Sequence, residues 1–251
     1  MGKIVGVGGG RMGELETLSI DKEIIELTGK RRPKALFVPT ASSDSQDRWD
    51  VFQEVYGRKL GCDVDVLLLL GSRPEPNEIL EHILPADIIY VGGGNTLKMM
   101  RRWRLLGVDK LILDAYNRGS VLAGSSAGCI CWFDFGHSDS MSFYSDTDWE
   151  YIRVKGMGLL SGTVCPHYNS ATRGVARRDD FHKMIRKYSD MGVALDNFCA
   201  IEVVDNRYRI LSARPDSHAY VLAVGKDGSI IEEEIEQKTN FEPVKSLVLQ
   251  T

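Results

Sequence analysis

The sequence predicts an α/β fold in which a mostly parallel sheet is flanked by helices on both faces, with antiparallel strands toward the C-terminus. Through the first half of the chain, short apolar runs alternate with segments whose apolar residues recur at helical spacing. Parallel strands need a crossover connection, usually a helix, so this alternation favours a parallel sheet. The apolar runs are nearly continuous, which is typical of strands covered on both faces.

The N-terminal half supplies strand and helix candidates that mostly alternate along the chain. We predict strands at residues 3–7, 35–38, 64–70, 88–91 and 120–123. We predict helices at residues 19–27, 49–60, 77–83, 96–103 and 110–117. Glycine or proline closes several of these segments, as Gly29, Pro39 and Gly61 do.

The last third of the chain changes character. Residues 180–188 have helical spacing, but after residue 193 short β-like runs dominate, separated by turns at Asp205-Asn206 and Lys226-Asp227-Gly228. Such turns are typical of β-hairpins. We predict that these strands extend the same sheet in antiparallel orientation. No linker or repeat interrupts the chain, so we expect residues 1–251 to form a single α/β domain.

Composition and charge exclude several classes of function. The net charge is −4 and acidic and basic residues are mixed along the chain, which gives no electrostatic basis for a nucleic-acid or anionic-membrane partner. No apolar run approaches the roughly 18 residues that a membrane span needs. The five cysteines lie mostly in apolar segments without zinc-ligand spacing, so we expect free thiols in the cytoplasm and no metal site.

A nucleophile-elbow pattern follows the strand predicted at residues 120–123. Gly124-Ser125-Ser126-Ala127-Gly128 fits G-x-S-x-G, with an apolar strand before it and an apolar helix-like run after it. In such an elbow the glycines let the strand and helix pass closely, and the central serine stands on the strained turn. The N–H of the next residue points to the developing oxyanion. This predicts Ser126 as a nucleophile, with a tight packing turn as the alternative.

A serine nucleophile needs a base, usually a histidine oriented by a third group. His167 comes directly after an apolar strand, at the sheet edge where ligand crevices form, so its position favours it. His218 opens a late strand and remains the rival, with Asp196 as its acid in an esterase of the α/β-hydrolase type. The other three are predicted on helical faces or in a polar turn: His82, His182 and His137.

Two glycine-rich turns follow predicted strands. Gly92-Gly93-Gly94 could supply a second backbone N–H to an oxyanion, or could be an ordinary turn between strand and helix. Gly8, Gly10 and Gly13 fit the dinucleotide pattern G-x-G-x-x-G. No acidic residue ends the second strand, where Pro39-Thr40-Ala41 stands instead, so dinucleotide binding is disfavoured.

Three of these motifs together resemble the aspartyl dipeptidase (peptidase E) family. They are Val91-Gly92-Gly93-Gly94-Asn95-Thr96, the elbow at 124–128 and Pro166-His167-Tyr168. That family is related to cyanophycinase and has a fold akin to class I glutamine amidotransferases. The resemblance implies a serine dipeptidase domain that cleaves dipeptides or short peptides after an N-terminal aspartate, without a cofactor. A small peptide is the implied partner, and a homo-oligomer is left open.

The resemblance also implies roles for individual residues. Ser126 would be the nucleophile, His167 the base, and the N–H groups of Gly94 and Ala127 the oxyanion hole. An acidic residue between the serine and the histidine would orient the base; Asp139 is expected there, with Glu150 as the alternative. Substrate binding is expected from two side chains, Asn95 and, for the aspartate carboxylate, Arg177. A non-catalytic ligand-binding protein with an inert serine remains the other hypothesis.

Overall fold

The computed structural model describes residues 2–71 and 74–247. The strands are β1 (Lys3–Val7), β2 (Lys34–Val38), β3 (Asp63–Val66), β4 (Ile88–Val91), β5 (Val121–Ser125), β6 (Phe133–Ser138), β7 (Ile152–Lys155), β8 (Leu160–Pro166), β9 (Ala171–Thr172), β10 (Val175–Ala176), β11 (Gly192–Leu195), β12 (Cys199–Val204), β13 (Arg207–Ser212), β14 (Ala219–Val224), β15 (Ile230–Glu234) and β16 (Glu242–Pro243). The helices are α1 (Leu18–Glu26), α2 (Gln46–Phe52), α3 (Pro76–Ile83), α4 (Thr96–Leu106), α5 (Val108–Arg118), α6 (Ala127–Ile130) and α7 (Arg177–Tyr188).

The first sheet has the order β16-β13-β12-β1-β5-β4-β2-β3. Its strands β1, β5, β4, β2 and β3 are parallel to one another, and β12 joins β1 in antiparallel orientation. Successive residues of one strand face opposite sides: Leu36 and Val38 pack with α4 and α5, whereas Phe37 packs with α1 and α2. Helices therefore cover both faces, and the predicted α/β fold is confirmed.

A second sheet corrects the prediction for the C-terminal strands. Its order is β15-β14-β11-β8-β6-β7, with β6, β8 and β11 parallel and the others antiparallel. The strands β12 and β13 extend the first sheet as predicted, but β14 pairs with β11 in the second sheet, and β15 pairs with β14 at its edge. A hairpin turn predicts that the two strands it joins pair with each other. Which further strand the hairpin pairs with depends on tertiary packing.

The two sheets share buried side chains. One cluster of buried apolar residues includes Ile4 and Leu122 of the first sheet together with Val164 and Val193 of the second. This continuity supports the expectation of one domain over residues 1–251, which remains a prediction. Within residues 2–71 and 74–247 no helix has the length and apolar character needed to cross a membrane.

Two elements of the N-terminal half differ in character as well as in their ends from the predictions. The strand predicted at 64–70 ends at Val66, because the N–H groups of Leu69 and Leu70 donate to Asp44 Oδ2 at 2.7 and 2.6 Å instead of to a strand. The helix predicted at 49–60 begins at Gln46 and continues from Gln53 to Lys59 as a π-helix. Neither difference moves the elbow at the end of β5.

Candidate active site

Ser126 lies on a strained turn between a strand and a helix. β5 ends at Ser125 and α6 begins at Ala127, and Ser126 between them has φ 58° and ψ −110°. A non-glycine residue in such a conformation costs about 1–3 kcal/mol, and this strain is typical of active sites. The Ser126 N–H is held by Val7 O of the neighbouring strand at 3.0 Å. The turn thus has the geometry that the elbow motif predicts.

The two glycines of the elbow are required by close backbone contacts. A Cβ at Gly124 would lie 2.6 Å from Gly128 O, and a Cβ at Gly128 would overlap Val91 O of β4. Both positions therefore need glycine, because α6 passes directly over β4 and over β5, the strand that leads to Ser126. The motif has glycine at these two positions because only a residue without a Cβ fits where the helix and the strands approach so closely.

Backbone N–H groups without a hydrogen-bond acceptor lie in the turn of Ser126 and in the glycine turn that contacts it. The N–H groups of Ala127, Gly93 and Gly94 have no hydrogen-bond acceptor among the described residues. Gly94 has φ 140°, and a Cβ there would overlap the Ala41 carbonyl. A Cβ at Gly93 would lie 3.7 Å from Ser126 Oγ, so the glycine turn after β4 lies against the serine. Unpaired N–H groups in this position can stabilise an oxyanion.

His167 follows β8 and is held in an unusual backbone conformation. Its φ is 55°, and its N–H donates to Gly8 O at 3.0 Å. Desolvation lowers the pKa of the imidazole to about 4, and the positive charge of Arg177 contributes in the same direction. The imidazole is therefore neutral at pH 7, which is the state that a general base requires.

The side chain that contacts His167 is Asn197, whereas Asp139 was the expected partner. Asn197 Oδ1 lies 2.6 Å from His167 Nδ1. The Asp139 carboxylate instead forms a short ion pair with Arg177 and accepts a hydrogen bond from Thr172 Oγ1 at 3.1 Å. The alternative, Glu150, is exposed and has no hydrogen bond or ion pair within residues 2–71 and 74–247.

The two expected substrate-binding side chains have structural partners and do not line the cleft. The side chain of Arg177 is 6% exposed and is bound by Asp139 and Thr172. Asn95 caps α4, its Oδ1 accepting the Lys98 N–H at 2.9 Å, and its Nδ2 donates to Ser140 O at 3.2 Å. Sequence position alone could not show that these polar groups are already paired.

A cleft of about 760 Å³ opens over Ser126 and His167. This volume lies within the range of about 300–1,000 Å³ typical of small-ligand sites. Two arginines line it: Arg11 is paired with Glu14 and Glu16, whereas Arg48 is exposed and forms no ion pair with any residue that the structure describes. The cleft thus joins the elbow, the imidazole and a cation without a partner.

The rival histidine is directed elsewhere. His218 Nδ1 lies 2.8 Å from Glu234 Oε1, and Asp196 Oδ2 accepts the backbone N–H of His218 at 3.1 Å. Neither His218 nor Asp196 lines the cleft that contains Ser126. This arrangement argues against the esterase alternative.

The polar turn predicted at His137 is wrong. It lies in β6 and is 0% exposed, with Nε2 at 3.0 Å from Asp180 Oδ1 and its ring stacked on Tyr151. The run Gly136-His137-Ser138-Asp139 resembles a turn by composition, but its first three residues pair with β7. Sheet pairing here overrides the local preference of polar residues for turns.

The glycine run after β1, Gly8-Gly9-Gly10, lies against the side chain of His167. A Cβ at Gly9 would overlap both His167 Nδ1 and Asn197 Oδ1, so glycine leaves room for this pair. This gives the run a role other than dinucleotide binding. In the described part of the chain, no three His, Cys, Asp or Glu side chains are grouped as a metal site requires.

Comparison with known proteins places the chain in a family. A family model described as "Peptidase family S51" matches residues 4–211. The chain belongs to peptidase family S51. This S51 peptidase is 33% identical over 223 residues to the uncharacterized peptidase YgaJ of Bacillus subtilis, covering 88% of this chain and 91% of that protein. It is 26% identical over 152 residues to peptidase E of Salmonella arizonae, covering 58% of this chain and 59% of that protein.

Solved structures agree on the fold. A crystal structure of a peptidase from an acI-B1 Actinobacterium matches with a TM-score of 0.71 at 19% identity, covering 97% of each chain. A putative peptidase E from Listeria monocytogenes matches with a TM-score of 0.64 at 19% identity, covering 84% of this chain and 98% of that one. The family match and the relatives confirm the resemblance to the peptidase E family, and this chain is a serine-type peptidase of family S51.

Two residues that line the cleft, Asn197 and Arg48, were not predicted from the sequence. Asn197 was missed because the search for a third group considered only acidic side chains, although its neighbour Asp196 was weighed as an acid for another histidine. Arg48 was missed because it lies in a helix far before the elbow. A search for any oxygen acceptor after the strand beside β8 would have included Asn197, but no local pattern marks Arg48.

Proposed function

We propose that this S51 peptidase hydrolyses dipeptides or short peptides with an N-terminal aspartate through an acyl-enzyme on Ser126. The observation that carries the proposal is the cleft that contains both Ser126, on its strained turn, and the neutral imidazole of His167. A serine in a strained turn beside a neutral imidazole is the combination that nucleophilic acyl transfer needs.

The proposed reaction uses only groups of this chain. Ser126 Oγ attacks the scissile carbonyl while His167 takes its proton, and the N–H groups of Ala127 and Gly94 stabilise the oxyanion. His167 then protonates the leaving amine, and a water molecule releases the acyl group by the same steps. No metal or organic cofactor takes part in this scheme.

The proposed specificity rests on charge in the cleft. A guanidinium group binds a carboxylate through two parallel hydrogen bonds, so an arginine without a partner favours an acidic substrate side chain. Arg48 is such a group, because no described residue forms an ion pair with it. We assign Arg48, in place of Arg177, as the cation for the substrate aspartate. The family resemblance to aspartyl dipeptidases supports the same substrate class.

The proposal is tested by the hydrolysis of Asp-, Asn-, Ala- and Leu-p-nitroanilide. We expect turnover selective for the aspartyl compound, abolished by Ser126→Ala and retained by Ser125→Ala. The asparaginyl compound has nearly the same shape without the charge, so it isolates the contribution of the carboxylate. Turnover of the uncharged compounds at equal rates would keep the serine peptidase and reject the aspartate preference.

The proposed cellular location is the cytoplasm. All five cysteines are free and buried, as in proteins kept in a reducing compartment. Separation of cell lysate into cytoplasmic and envelope fractions, followed by detection of the protein, tests this location.

A further inference from the structure

We propose that the cleft contains a binding site for the free α-ammonium group of the substrate, formed by the hydroxyl groups of Tyr90 and Thr17 and by the buried carboxylate of Asp21. This inference rests on the proposed function, because it names a second part of an N-terminal aspartyl substrate that the cleft recognises besides the aspartate side chain. It predicts that the peptidase favours substrates whose N-terminus is free.

Tyr90 brings an unpaired hydroxyl group to the cleft. The residue lines the cleft although it is only 3% exposed, and no residue among 2–71 and 74–247 forms a hydrogen bond with its hydroxyl group. The hydroxyl oxygen is not one of the fully buried unpaired atoms of these residues, so it keeps contact with the solvent of the cleft. The rings of Phe37, Phe52 and Tyr56 hold the side chain, with centroids 6.3, 5.6 and 5.3 Å from that of Tyr90. A fixed polar group of this kind is available to a ligand.

Tyr90 lies on the strand next to the one that leads to the nucleophile. In the register of β4 and β5 it pairs with Ala123, which precedes Ser126 by three residues. A strand rises about 3.3 Å per residue, so the backbone of Tyr90 lies about 10 Å from Ser126 along the sheet. Because Tyr90 and Ser126 line the same cleft, a tyrosine side chain and the N-terminal residue of a bound peptide can together span that distance.

Asp21 carries a charge that no cation of the described chain neutralises. The residue is 1% exposed, and its carboxylate accepts hydrogen bonds from Thr17 Oγ1 and from the Tyr56 hydroxyl, both at 2.9 Å. Both donors are uncharged, and no basic side chain among residues 2–71 and 74–247 forms an ion pair with Asp21. Burial raises the pKa of Asp21 to about 6, so the carboxylate is ionised at pH 7. Buried charges in proteins are normally paired, so this one favours the binding of a cation nearby.

The charge of Asp21 acts on the groups that line the cleft. Burial is the main cause of the raised pKa of Tyr90, and the negative charge of Asp21 adds to it, so the field of Asp21 reaches the Tyr90 hydroxyl. Hydroxyl dipoles orient in such a field, with the hydrogen toward the anion. Thr17, which also lines the cleft, donates its only hydroxyl hydrogen to Asp21 and can only accept from a ligand. Acceptor oxygens in a negative potential suit an ammonium group and disfavour a carboxylate.

The other charged groups of the segment before α1 are already paired. Arg11 binds Glu14 and Glu16 at 2.5 and 3.1 Å, and Arg214 binds Glu16 at 3.0 Å. Two arginines and two glutamates cancel, so the net charge on this part of the cleft is that of the buried carboxylate. The substrate carboxylate is assigned to Arg48, and an aspartyl N-terminus therefore has a partner of opposite sign for each of its two charged groups.

The test removes the ammonium group from the substrate. Succinic acid mono-p-nitroanilide is Asp-p-nitroanilide without its amino group, so the ratio of kcat/KM for the two compounds measures recognition of the ammonium group. We expect a wild-type ratio of about 10² in favour of the aspartyl compound. Tyr90→Phe should reduce this ratio by about 10–100-fold, the range for a hydrogen bond to a charged group, and Asp21→Asn should reduce it by about 10-fold. Asp114→Asn, at an exposed position of α5 outside the cleft, is the matched control and should keep the wild-type ratio. Thermal unfolding shows whether each variant is folded.

A second readout does not depend on turnover. L-Aspartate and succinate also differ by the ammonium group alone, and calorimetry should show that the wild type binds L-aspartate about 10-fold or more tightly than succinate. This difference should shrink in Tyr90→Phe and in Asp21→Asn. Equal affinities for the two acids in the wild type, or folded variants that keep the wild-type ratio of kcat/KM, overturn the ammonium site while leaving the serine peptidase intact. Absence of wild-type turnover together with failure of a serine-directed phosphonate to label Ser126 rejects the proposed function instead.

Discussion

Two polar clusters on neighbouring loops differ in whether their side chains carry a formal charge. The cleft cluster, Ser126, His167 and Asn197, carries no formal charge at pH 7 and faces the open cleft. The ion-pair cluster, Asp139, Arg177, Thr172 and Tyr151, lies outside the cleft lining. The Arg177 N–H donates to Ser170 O at 3.0 Å, which connects the two. Full charges are thus used for structure, and uncharged groups for the proposed chemistry.

This contrast shows why residue type alone misassigns roles. An acid and an arginine near a histidine suggest a triad member and a substrate anchor, but here they bind each other. A buried charge must be paired, because an unpaired one costs several kcal/mol. The side chain that contacts His167 is the amide of Asn197, which needs no counter-charge.

The largest expected effect comes from breaking the cleft cluster at its base. His167→Ala should lower kcat by about 10³-fold or more, because the serine loses its proton acceptor. The kcat of His218→Ala should stay within about twofold of the wild-type value, because His218 lies outside the cleft and is not the proposed general base. Steady-state kinetics with Asp-p-nitroanilide measures both. The reverse pattern would restore the esterase alternative with Asp196 and His218.

Breaking the ion-pair cluster should affect stability more than chemistry. Asp139→Asn leaves the charge of Arg177 without its partner, and removing one member of a buried pair costs about 3 kcal/mol. The double variant Asp139→Asn with Arg177→Met should be more stable than Asp139→Asn alone, because the unpaired charge is gone. Urea unfolding gives the free energies. A double variant that is the least stable of the three would contradict a buried-charge penalty.

Removing the cleft cation should change specificity. Arg48→Gln should lower kcat/KM for Asp-p-nitroanilide by about 10–100-fold, the range for a hydrogen bond to a charged group, and leave Ala-p-nitroanilide unaffected. Arg101→Gln is the matched control, since Arg101 is an exposed helical arginine outside the cleft lining. Equal losses for both substrates would mean that Arg48 acts on the fold and not on the substrate.

The smallest expected effect is a shift in the pKa of His167 when the charge of Arg177 in the ion-pair cluster is removed. Because the charge of Arg177 lowers the pKa of His167, Arg177→Met should raise that pKa by less than about one unit. The acid limb of the kcat/KM profile, expected near pH 4 in the wild type, should then move upward. A downward or absent shift would show that the ion pair has no influence on the base.

Sequence reasoning was most successful where structure is local. The elbow at Ser126 was predicted because a strand, a turn and a helix are contiguous and two glycines mark the close approach. The parallel sheet was predicted because β1, β2, β4 and β5 are separated by helices with clear apolar periodicity. These features need no knowledge of distant contacts.

It failed where distant segments meet. The pairing of His167 with Asn197 depends on β8 and β11 lying side by side, and the pairing of Asp139 with Arg177 depends on the fold of the loop between them. The split into two sheets has the same cause, because β14 pairs with β11 across an intervening hairpin. The periodicity of apolar residues shows which face of a strand or helix is buried, but not which segment of the chain packs against that face.

The most direct test of the cleft cluster is labelling by an aspartyl diphenyl phosphonate, followed by intact mass and peptide mapping. We expect one adduct on Ser126 in the wild type and in folded Asp139→Asn at rates within about threefold, and labelling slowed by about 10²-fold or more in His167→Ala. An adduct on another residue, or labelling of Ser126 that does not depend on His167, would contradict the assignment of this cleft as the catalytic site.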